Sequence, residues 1–106
     1  MTAIDSSLQD RSSALHQRSI VIDALDVSKF DRAHFEKMRA GGVTGVNATV
    51  VMPGANFRQS VDGIREFDAL IEKNSDIAMQ VLTAGDIERA KAAGKVGIIY
   101  GFQNAV

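Results

Sequence analysis

The spacing of apolar residues changes repeatedly along the chain, and each change predicts an element. Ile4, Leu8 and Leu15 recur at helical spacing with Asp5, Asp10 and Arg11 elsewhere, which predicts an amphipathic helix over 4–17 that needs a body to pack on. Ser19-Ile20-Val21-Ile22-Asp23 is too short for a helix and continuously apolar at its centre, the pattern of a strand covered on both faces. Asp31 is placed to cap a helix over 32–40, with Phe35 and Met38 facing inward and Gly41 as its left-handed C-terminal residue. Residues 43–52, rich in Val and Thr, predict a second strand closed by Pro53-Gly54. Phe57, Val61, Ile64, Phe67 and Ile71 then form an inward helical stripe, with Arg58, Asp62, Arg65, Asp68 and Glu72 on the other side. After Asn74-Ser75, residues 77–82 predict a third, short strand. Thr83 and Asp86 form a capping box with Asp in the usual Glu place, heading a helix over 85–93 that stops at Gly94. The last element, 96–102, is a buried strand whose Gly97 and Gly101 mark a close approach by another backbone or a ligand.

Strands alternating with helices imply repeated βα units and a parallel sheet, a fold that carries its chemistry on the loops after the strand C-termini. On this reading those loops begin at Ala24, Met52, Thr83 and Gln103. An eightfold βα barrel takes roughly 250 residues, about 30 per unit. The 106 residues here supply about four units without the fourth helix. The expected fold class is therefore α/β, the N-terminal half of a (β/α)8 TIM barrel. It forms a single incomplete domain, with residues 1–18 the N-terminal helix and 19–106 the first four strands and three connecting helices. An open sheet of flavodoxin type, complete at about this size, is the alternative. A barrel half has open strand edges and an uncovered apolar face, so self-association of these residues alone is expected.

Composition narrows the class further. With 45% hydrophobic and 24% charged residues the chain reads as globular, and neither disordered nor collagenous. It contains no cysteine, which removes disulfides, thiolate nucleophiles and Cys-ligated zinc. A net charge of −1 gives no footprint for nucleic acid or an anionic membrane. The N-terminus lacks the basic start and apolar run of a secretory leader, and the uncharged run 40–57 is broken by glycines and Pro53, so neither leader nor membrane anchor is expected. The expected setting is cytoplasmic.

The candidate chemistry is sparse. His16 and His34 fall on predicted helices and read as solvent-facing. Asp23 and Asp26 flank the end of the first strand, where carboxylates bind metals or act as bases, and where Asp also serves turns and caps. Gln103 and Asn104 follow the last strand, where a neutral amide would hydrogen-bond a substrate. Gly41-Gly42-Val43-Thr44-Gly45 runs from helix to strand, the reverse of a phosphate loop, and Asn47-Ala48-Thr49 matches a glycosylation triplet inside a predicted buried strand.

Three stretches together resemble the membrane (renal) dipeptidase family of metallopeptidases. They are Ser19-Ile20-Val21-Ile22-Asp23-Ala24, then Met38-Arg39-Ala40-Gly41-Gly42-Val43-Thr44-Gly45-Val46-Asn47, and then 84–95 (Ala-Gly-Asp-Ile-Glu-Arg-Ala-Lys-Ala-Ala-Gly-Lys) leading into Val96 to Asn104. The resemblance runs from about Ser19 to the end. It implies an amidohydrolase-type (β/α)8 barrel, two zinc ions, and hydrolysis of dipeptides or similar small amides. The family's His-x-Asp pair after the first strand falls on Leu25 and Val27, with Asp26 one residue out of register. Its bridging glutamate, in a Gly-x-Glu-Gly setting, falls on Gln103 of Gly101-Phe102-Gln103-Asn104. Apolar side chains cannot ligate zinc, and an amide offers one neutral oxygen where two dications need two anionic ones. Gly-Phe-Gln-Asn resembles a divergent bacterial branch of the family. The resemblance thus implies a metallohydrolase whose 106-residue stretch alone is inactive, with a non-catalytic barrel that binds a small ligand as the alternative.

Overall fold

A computed structural model describes residues 3–102, with side chains from Ser7 onward. The elements are α1 (Ala3–Arg18), β1 (Ile22–Asp26), α2 (Arg32–Ala40), β2 (Gly45–Val51), α3 (Phe57–Lys73), β3 (Ala78–Gln80), α4 (Ala84–Ala93) and β4 (Val96–Phe102). All strand pairs are parallel, in the order β1-β2-β4-β3. The fold is α/β, four parallel strands joined by helices, as the alternating periods imply.

The last two strands do not follow chain order. A regular barrel sets each strand beside its predecessor, whereas here β4 pairs with β2, and the three-residue β3 lies beyond it. The return from β3 to β4 steps backwards across the sheet, and a right-handed crossover then carries its helix to the opposite face. Accordingly Val96 and Ile98 face Phe35 and Met38 of α2 and Ile71 of α3, while the Cα of Gly97 faces Ala90 of α4. The main core lies on the α2/α3 side. It gathers Phe30, Phe35, Met38, Val46, Ala48, Ile71, Ile77, Val96 and Ile98, with Phe30 and Phe67 meeting edge to face at 5.5 Å.

Caps fix the helix starts. Asp31 accepts from His34 N, and reciprocal capping boxes join Asn56 to Gln59 and Thr83 to Asp86. Gly94 stops α4 in the left-handed region at φ 69°. After α2 that role moves one residue, for Gly41 is right-handed and Gly42 takes φ 81°. His16 lies against Gly42, and any Cβ there would come within 2.6 Å of its ring.

Three further expectations change. β1 starts at Ile22 and runs to Asp26 through an irregularity between Asp23 and Asp26, and it is largely exposed because it is an edge strand whose outer side no described element covers. Phe57 is 85% exposed. The Gly63 Cα abuts the Val50 carbonyl near the end of β2, and α3 runs back from there, so its first turn overhangs the sheet. Leu8 and Leu15 of α1 are also exposed, on a helix that packs broadly on no other described element.

Candidate functional site

The strand C-termini converge on one end of the sheet, and the loops there leave at Val27, Met52 and Val81. Gln103 and Asn104, the substrate-facing candidates, lie outside the described residues.

At the end of β1 both oxygens of the Asp26 carboxylate carry a hydrogen bond. Its Oδ1 accepts from Ser28 N at 2.7 Å and its Oδ2 from His34 Nε2 at 2.9 Å. Partial burial pushes the Asp26 carboxyl up, but the Ser28 hydrogen bonds and the His34 ring outweigh it and hold it below its ordinary value. His34 is thus not the solvent-facing residue expected: it is 25% exposed and stands edge-on to Phe30 at 4.9 Å. A βα unit sets the first turn of its helix over the end of its strand, which brings residue 34 onto residue 26. That signal is present in the sequence as a strand-end Asp followed by a ring in the first turn of the next helix. Asp23 lies within β1 and accepts from Leu25 N, a local turn bond. Leu25 and Val27 on either side of Asp26 are each 57% exposed.

Beyond β2, a groove of about 580 Å³ runs between 50–55 and the flank of α3 that carries Gln59, Asp62 and Glu66. Beyond β3, Asp86 accepts from Leu82 N at 2.8 Å and Thr83 N at 3.0 Å and pairs with Arg89. Those backbone donors, with Arg89, hold its carboxyl at about 2. Behind β4, Tyr100 donates to Asp68 at 2.6 Å, and burial first, then Asp68, push its hydroxyl well above the usual range. His16, on the opposite end, donates from Nε2 to the Gly41 carbonyl at 2.6 Å.

The described strand ends therefore carry Asp26 and Asp86 hydrogen-bonded within the fold, and exposed Leu25, Val27, Met52, Leu82 and Phe102 between them. No group of three His, Asp or Glu among the described residues converges as metal ligands do. Among the described residues the donor set does not fit a zinc pair: Asp26 is the one carboxylate at those positions, and Leu25 and Val27 offer no donor. Asn47-Ala48-Thr49 lies within β2, with Ala48 fully buried.

Parallel βα units with their loops at the strand C-termini, matched to a solved amidohydrolase, make this an amidohydrolase-type fold. The chain is similar to the crystal structure of an amidohydrolase from Pseudomonas aeruginosa, with 46% identity and a TM-score of 0.85 over 88% of this chain and 28% of that one. It thus spans little more than a quarter of that protein's length. No family model and no curated protein matches it. No helix among the described residues is long and apolar enough to cross a membrane.

Proposed function

We propose that this chain is part of a dipeptidase-like hydrolase of amidohydrolase type, a cytoplasmic barrel enzyme acting on dipeptides or similar small amides, and that this stretch alone is inactive. The observation that carries the reading is 46% identity to an amidohydrolase at a TM-score of 0.85. Gln103 and Asn104 take the role of neutral hydrogen-bonding groups for the substrate amide, since neither exchanges a proton near neutral pH. Asp26 acts through its fixed pairing with His34 and shapes the loop after β1.

A second reading, a non-catalytic barrel that binds a small amide, is favoured by the exposed Leu25 and Val27 beside a committed Asp26. One experiment separates the two. The polypeptide of the whole reading frame is assayed for dipeptide hydrolysis, for zinc content by mass spectrometry, and for dipeptide binding by calorimetry. Turnover supports the hydrolase. Binding without turnover, weakened by Gln103→Ala, supports the second reading and overturns the first.

A further inference from the structure

We infer that the N-terminal end of the sheet, opposite the mouth, carries a pocket for a small, multiply charged oxyanion of the phosphate class, with Arg39, Lys91 and Lys95 as its cations. The pocket encloses about 250 Å³ where the ends of α1, α2 and α4 meet the starts of β2 and β4, and Gln17, Gly42 and Gly94 contribute to its wall. Among the described residues no carboxylate lines it. Lys91 and Lys95 are half-buried. Gly42 and Gly94 are the left-handed turns that lead α2 into β2 and α4 into β4, so part of the wall is backbone without a side chain. The α1 side is fixed in place, since His16 donates to the Gly41 carbonyl and Lys91 to the Gln17 carbonyl.

Basic residues in the last turn of a helix ordinarily offset its dipole, and Arg39 and Lys91 hold that place in α2 and α4. Charge arithmetic decides whether this role exhausts them. Each helix C-terminus carries roughly half a negative charge, so the three ends sum to roughly −1.5. Arg39, Lys91 and Lys95 bring three full positive charges to the same wall. A surplus of roughly +1.5 remains for a ligand. Lys95 lies past the stop at Gly94, outside the helix. Among the described residues neither its ammonium nor the Arg39 guanidinium makes a hydrogen bond, and Lys91 spends on Gln17 one of its three donors. Asp76, a carboxylate whose charge Arg39 feels, is already gripped by both terminal nitrogens of Arg32 at 2.6 and 2.8 Å. A forked guanidinium and two ammonium groups around one recess match the oxygens and the double charge of a phosphate. The recess is smaller than the ~300–1,000 Å³ of sites for drug-sized ligands, which favours a small ion. Because the whole chain carries a net charge of −1, the attraction is local to this pocket. None of this depends on the chemistry of the mouth.

The probe is inorganic phosphate, titrated by calorimetry into the polypeptide of the whole reading frame, with chloride adjusted to hold ionic strength and hence screening constant. The wild type is compared with Arg39→Gln/Lys95→Gln, which removes two charges that make no hydrogen bond among the described residues, and with Lys95→Arg, which keeps the charge. The expected result is saturable binding and a melting temperature that rises with phosphate. Binding should weaken about tenfold or more in the glutamine variant, the loss of a charge-assisted hydrogen bond on the affinity scale, and should persist in Lys95→Arg. A wild type that shows no saturable binding, or a glutamine variant that binds as well as the wild type, would overturn the inference. Loss of binding in Lys95→Arg as well would assign the effect to packing and overturn it too. Vesicles of phosphatidylcholine and phosphatidic acid separate a lipid headgroup from a free ion: a protein that sediments with them and ignores inorganic phosphate would also refute the pocket.

Discussion

Gly97 sits where β4 passes beneath the return from β3, and its replacement by Ala tests the reversed strand order. A Cβ at this position would lie 2.6 Å from Val81 Cγ2, with the Thr44 carbonyl at 3.4 Å and Ala90 Cβ at 3.5 Å. Only the first of these is a clash, since carbon atoms pack at ~3.5–4.0 Å. Val81 is 7% exposed and stiff about χ1, so it cannot turn aside freely. Overpacking of this kind costs ~1–3 kcal/mol, while removing a strand glycine returns ~0.5–1 kcal/mol of chain entropy. Gly97→Ala is therefore expected to destabilise by ~0.5–2 kcal/mol in the wild-type background. Val81→Ala deletes the clashing methyl, so in that background the same substitution should change sign and stabilise by ~0.5–1 kcal/mol. Urea unfolding followed by far-UV circular dichroism on all four chains gives the coupling, ~1–3 kcal/mol for residues in contact. If Gly97→Ala cost the same with and without Val81, then Val81 would not lie over β4, and placing β3 beside β4 would be mistaken.

Three further outcomes follow from the caps and ion pairs. Thr83→Ala removes the acceptor for Asp86 N, and should cost ~1 kcal/mol, or ~4–8 °C in a thermal melt for a domain of this size. Asp86, held at about 2 against 3.8 when unperturbed, adds stability that is complete above pH 4 and is lost as pH falls toward 2, so Asp86→Asn should flatten that part of a melting profile taken against pH. His34→Ala breaks a partly buried bond to a carboxylate and should cost ~1.5–3 kcal/mol at pH 7. With Asp26 held below its ordinary value, that loss should shrink in urea melts as pH falls below 3.8 and the carboxylate takes up its proton; a loss that stays constant across that fall would refute the pairing.

Local signals in the sequence located the elements because they are themselves local. Asp31 and Thr83 cap through atoms three residues away, and Gly94 needs only its own positive φ, so each is legible without knowing the fold. Strand order depends on something else, the direction of a crossover. Nothing in residues 77–82 distinguishes a strand set beside β2 from one set beyond β4. In the sheet only three of those residues pair, at its edge. The exposure of β1 was hidden for a related reason. A continuously apolar run states that a strand belongs between two layers, and it cannot state which of those layers lies within the same 106 residues. The same holds for Leu8, Leu15 and Phe57, whose spacing marks a helix and does not state what surface they meet.

The site shows the limit most sharply. Residue type marked Asp26 as a carboxylate at a strand end, where it is equally suited to a metal, a proton or a turn. What decides among these is the occupancy of its two oxygens, and that depends on Ser28 and on a ring eight residues away across the turn into α2. Asp86 follows the same logic, for its oxygens serve Leu82, Thr83 and Arg89. The described strand ends therefore contribute shape and apolar surface to the mouth of the sheet. Asp26 and Asp86 thus tie the fold together at that mouth through bonds within 3.0 Å of each carboxylate, which a count of acidic residues does not reveal.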